Sequence, residues 1–67
     1  MTDNELAAKA RTDARMATRL GKHTVSLAGE SATITRNGLR YSIANGNATV
    51  FDGDVAGLVL YLMDHYA

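Results

Sequence analysis

General acid–base or nucleophilic catalysis needs a nucleophile, a base and an orienting group gathered where water is excluded. The candidate bases here are His23, which falls at a sheet edge opposite Arg36, and His65, near the end of the 67-residue chain. Neither has a companion set legible at fixed spacing. Asp52-Gly53-Asp54 offers two carboxylates that could hold a divalent cation. A capping Asp beside a Gly is also the ordinary way to start a helix, and the spaced acidic ligands of a calcium-binding hand are missing. Asn47-Ala48-Thr49 has the spacing of a glycosylation acceptor but reads as strand. No Cys is present, which removes disulfides, thiolate metal sites and a cysteine nucleophile. The expectation is a non-enzymatic protein with no catalytic residues, no metal and no cofactor.

Charge carries more information. Arg11, Arg15, Arg19 and Lys22 recur at spacings of 4, 4 and 3, so they line one side of a helix. Residues 1–22 hold five basic against three acidic groups and the remainder two against four, so a chain of zero net charge is polarised. Four phosphate contacts would give weak, salt-sensitive binding to nucleic acid. An open sheet that bound single strands would want stacking aromatics, and Phe51 alone falls there.

These residues must be positioned by an unusually readable set of elements. Residues 4–21 form a helix capped by Asp3 or Asn4 and stopped at Gly21. At about 100° per residue, Leu6, Ala10, Ala14, Met16, Ala17 and Leu20 share its covered side, with Asp13 in their midst. The period then changes to two. Asn37-Gly38 and Asn45-Gly46 read as two-residue hairpin turns, and Gly29-Glu30 as a Gly-first turn. Strands at 23–28, 31–36, 39–44 and 47–51 follow. Those turns pair Leu27 with Ala32, Val25 with Ile34, Ile34 with Tyr41, Ile43 with Ala48 and Tyr41 with Val50. Val25, Leu27, Ala32, Ile34, Leu39, Tyr41, Ile43, Ala48 and Val50 thus make one apolar face. The other carries Thr24, Ser26, Ala28, Ser31, Thr33, Thr35, Arg40, Ser42, Ala44, Asn47, Thr49 and Phe51. A second helix at 53–66, capped by Asp52 or Asp54, covers the sheet with Val55, Leu58, Val59, Leu62 and Tyr66. Leu60 points away and Tyr61 sits on the flank.

The reading is a single α+β domain over residues 1–67. It has two layers, a four-stranded antiparallel meander with two helices on one face, in the order α-β-β-β-β-α. A 46% hydrophobic and 21% charged composition fits a globular chain. No apolar run approaches the roughly 20 residues of a membrane helix and no secretory pattern opens the chain, so a cytoplasmic protein without membrane contact is expected.

Glu5-Leu6-Ala7-Ala8 opening a helix that ends at Gly21-Lys22 before a hairpin resembles the small head-completion proteins of tailed phages. The chain has two more strands than their helix–hairpin–helix pattern. In size, compactness and lack of catalytic residues it also looks like phage-encoded inhibitors, including anti-CRISPR proteins. The resemblance implies stoichiometric binding to a host protein or protein complex. Arg11, Arg15, Arg19, Lys22, Arg40, Phe51, Leu60 and Tyr61 are the expected partner-binding residues, because Tyr, Arg and outward apolar groups favour interfaces. The alternatives are nucleic-acid contact through the basic helix face, or a structural homodimer formed through the open sheet face.

Overall fold

Thr2 begins the fold, because its hydroxyl precedes Glu5 by three residues. In the computed structural model, which describes residues 2–66, Thr2 Oγ1 accepts the Glu5 N–H at 3.2 Å. Glu5 Oε1 accepts the Thr2 N–H at 3.3 Å. This reciprocal capping box starts helix α1 (Asp3–Leu20), so the cap is Thr2 and not Asp3 or Asn4. Asp3 and Glu5 then fall in the first turn, where negative charge meets the positive end of the helix. Gly21 stops the helix in the left-handed conformation (φ 78°), donating its N–H to Ala17 O at 2.8 Å. Met1 and Ala67, the ends of the expected 1–67 domain, lie outside the described residues.

Four strands follow in chain and spatial order, all antiparallel: β1 (Lys22–Leu27), β2 (Glu30–Asn37), β3 (Arg40–Asn45) and β4 (Ala48–Gly53). Every turn sits one residue from its expected place. Ala28 and Gly29 form the first, both at positive φ (53° and 80°) as a type I′ turn requires. In the other two, Gly38 and Gly46 occupy the first central position with positive φ, and Leu39 and Asn47 the second without it. That is the Gly-first II′ pattern, so Asn37 and Asn45 end strands instead of opening turns.

The pairing therefore differs from expectation. Val25 meets Ala32, and Ile34 meets Ile43. Because each hairpin slips by one residue on both strands, the alternation survives. Val25, Leu27, Ala32, Ile34, Tyr41 and Ile43 all point into the core as expected. Leu39 and Ala48 leave the apolar face, since the shifted turns put Leu39 in a turn and Ala48 at the start of β4; both are exposed.

A β-bulge overturns the expected facing of the last strand. Ala44 pairs with Thr49, but Ile43 pairs with Phe51, leaving Val50 as the extra residue. Phe51 is turned into the core while Val50 is left 42% exposed, the reverse of the alternation read from sequence. Gly53 and Gly57 make room for the ring. A Cβ at Gly53 would stand 2.9 Å from Phe51 Cζ, and one at Gly57 3.3 Å from it.

Helix α2 (Val55–His65) is capped by Asp54, whose carboxylate accepts the Gly57 N–H at 2.9 Å. Leu58 and Leu62 are wholly buried against the sheet beside Ala10, Ala14 and Ala17 of α1. The alanine stripe lets α1 lie close to what it covers. Two residues expected on the covered sides are not covered: Leu20 is 63% exposed and Val55 46%. The result is one open sheet with its hydroxylated face free and both helices on the other, an α+β fold of order α-β-β-β-β-α.

Candidate interaction surface

Three segments meet at one end of the sheet. Lys22 pairs with Thr35 and the Arg36 N–H donates to Gly21 O at 2.9 Å, which fixes the C-terminus of α1 beside the end of β2. The β2–β3 turn closes the same end. Tyr41 pairs with Gly53, which brings the end of β4 and the start of α2 there as well. Arg19, Leu20, Lys22, Arg36, Leu39, Arg40 and Val55 therefore share this end. Leu39 is 90% exposed, the most exposed of the large apolar residues among those described.

Two of the cations at this end are held in place. Arg36 Nη1 donates to Gly38 O at 3.2 Å and so brackets the turn. Arg40 Nη2 donates to Asp52 Oδ1 at 3.1 Å, an exposed pair of little energetic weight but definite direction. Beside them Asn37, Arg40, Tyr41, Ser42 and Asp52 line a shallow hollow. Tyr41 itself is buried. Its hydroxyl lies 2.6 Å from Thr18 Oγ1, and since Thr18 donates to Ala14 O, the Tyr41 hydroxyl is the donor.

The other expected contact residues are placed as follows. Arg11, Arg15 and Arg19 are exposed along α1, and none forms an ion pair among the described residues. Leu60 is 64% exposed on the outer side of α2, as read from its position. Phe51 and Tyr61 are instead engaged within the fold. Their rings lie 5.3 Å apart, and Tyr61 stacks on His65 at 3.8 Å. His65 Nδ1 lies 2.7 Å from Tyr61 O, and His65 O accepts the Ala28 N–H at 2.7 Å.

His23 is no free edge base. It pairs with Ile34, not Arg36, and its Nε2 donates to Asp13 Oδ1 at 3.1 Å. The second oxygen of Asp13 accepts the Tyr66 hydroxyl at 2.6 Å, and Lys9 Nζ lies 4.4 Å over the Tyr66 ring. Burial first, then the hydrogen bond to Asp13 and the negative charge it carries, push the Tyr66 phenol above its usual range. With both carboxylate oxygens taken, the cluster ties α1 to β1 and to the end of α2. Its partners stand 10 and 53 residues from Asp13, and the sequence signal was only the misfit of an Asp on an apolar stripe.

Among the described residues, no three of His, Cys, Asp and Glu gather closely enough to hold a metal ion. No described helix is long and apolar enough to cross a membrane. Comparison with protein families, curated proteins and solved structures gave no significant match.

Proposed function

We propose that the chain is a non-enzymatic binding module that acts by stoichiometric association with another protein. The observation that carries this reading is the end of the molecule just described. Leu20, Leu39 and Val55 are exposed there beside Arg19, Lys22, Arg36 and Arg40. Leu39, 90% exposed in a hairpin turn, adds little to the core, and Arg is among the residues that protein interfaces enrich. In the narrower form of the proposal it acts in the cytoplasm as a phage or mobile-element inhibitor of a host complex, in the anti-CRISPR manner. Small size supports that form.

The test is capture by the tagged protein from a lysate of the host cells, with and without nuclease, read by mass spectrometry. One stoichiometric protein that survives nuclease is expected. Recovery of nucleic acid, or of proteins lost on nuclease treatment, contradicts the reading. A second reading, nucleic-acid contact through α1, rests on the exposed row of Arg11, Arg15 and Arg19. Labelled duplex and single strand, titrated at low and moderate salt, distinguish it.

A further inference from the structure

Taking the protein-binding reading as its basis, we propose that the β2–β3 end docks on an acidic protein surface whose apolar pocket receives Leu39. Second central positions of two-residue turns ordinarily carry small polar residues or Gly, and here a Leu stands 90% exposed. Gly38 supplies the positive φ that tightens the turn, and Arg36 is bonded back onto Gly38 O. The Leu is thus presented on a short, braced loop, and little freedom is lost when it is seated.

Charge at this end sets the chemistry of the partner. Among the described residues, this end carries Arg19, Lys22, Arg36 and Arg40 against Asp52 and Asp54. Asp54 is occupied by the Gly57 N–H and Asp52 by Arg40. The excess is positive, so an acidic rim is complementary. Leu20 and Val55 are further exposed apolar groups at this end, which favours a protein over nucleic acid. The aromatic rings near this end are engaged within the fold, Tyr41 buried and Phe51 packed against the core, so neither is free to stack on a base.

The probe is a random peptide library panned against the immobilised protein. Enriched peptides are then titrated against wild type, Leu39→Ser, Arg36→Glu and Asn47→Ser, the last in the exposed turn at the opposite end of the sheet. The expected peptides place Asp or Glu around a large apolar residue. Leu39→Ser and Arg36→Glu should each weaken them roughly tenfold or more, with Asn47→Ser close to wild type. Affinity should fall with rising salt. Circular dichroism melts confirm that the variants, all at exposed positions, remain folded. Peptides held equally by Leu39→Ser overturn the docking site while leaving protein binding itself intact. Peptides without an acidic bias, no enriched peptide at all, or a labelled duplex bound with the same dependence on Leu39, each overturn the proposal. Loss of the binding reading itself shows separately, as the absence of any nuclease-resistant partner in the lysate capture.

Discussion

The Asp13 carboxylate accepts the Tyr66 hydroxyl at 2.6 Å across 53 residues of sequence, so the last described residue of the chain closes onto the middle of the first helix. The same carboxylate holds His23 at 3.1 Å. The cluster is a polar clasp that ties α1 to β1 and to the end of α2. Tyr66→Phe removes a hydrogen bond to a charged group in a half-buried setting and should cost about 1.5 kcal/mol. Thermal melts at neutral pH measure it.

The same clasp gives a pH dependence. The folded state raises the Tyr66 phenol above its unfolded value and so retains the proton longer. Its contribution is fully present below the ordinary tyrosine value, about pH 10, and is lost as pH rises beyond that. Stability of wild type should fall above about pH 10, and Tyr66→Phe should show a shallower fall. Urea titrations at stepped alkaline pH decide the matter; parallel curves for the two proteins would contradict the clasp.

Phe51 and Val50 exchange roles at the bulge, and this yields a sharp contrast. Phe51→Ala should cost about 2–4 kcal/mol and Val50→Ala less than about 1 kcal/mol. A strict alternation without the bulge requires the opposite order. Gly53→Ala should also destabilise, by about 1–3 kcal/mol, because the added methyl meets the Phe51 ring. Chemical denaturation of the three variants tests the packing directly.

Ala28 holds a positive φ of 53° in the first turn, which is costly for a residue with a Cβ. Ala28→Gly should stabilise the protein by about 0.5–1 kcal/mol after the entropy of the extra glycine is counted. In a domain of this size that amounts to a rise in Tm of roughly 2–8 °C. An unchanged or lowered Tm would argue against the type I′ geometry.

Ile34 is wholly buried in the middle of β2 and belongs to the core between the sheet and the helices. Ile34→Ala should cost about 2–5 kcal/mol, a large part of the stability available to so small a domain. A melt that barely moves would be incompatible with the register.

Most of the architecture is legible in the residue pattern because two constraints coincide. Glycine-containing turns at three places force hairpins, and the period-two alternation of Val25, Leu27, Ala32, Ile34, Tyr41 and Ile43 survives a slip of each turn. The slip itself is not legible, since Asn-Gly suits a type I′ turn at one register and a Gly-first turn at the next. The bulge is invisible for a different reason. The Phe51 ring lies in the space left by Gly53 and Gly57, and Gly57 belongs to α2, so the fit depends on a neighbour that strand alternation does not show.

Exposure was legible in part. Leu60 and the row of Arg11, Arg15 and Arg19 are exposed as their helical positions imply. Leu39 was hidden behind the assumed turn, which assigned it to the core face. The shift of one residue converts it from a core side chain into the most exposed large aliphatic group among the described residues.

That group gives the most direct measurement. With the nuclease-resistant partner from the lysate purified, calorimetric titration compares wild type with Leu39→Ser. A loss of about tenfold or more in affinity at unchanged stoichiometry is expected for an anchoring residue. Equal affinity for the two proteins would contradict the assignment of this end as the binding surface.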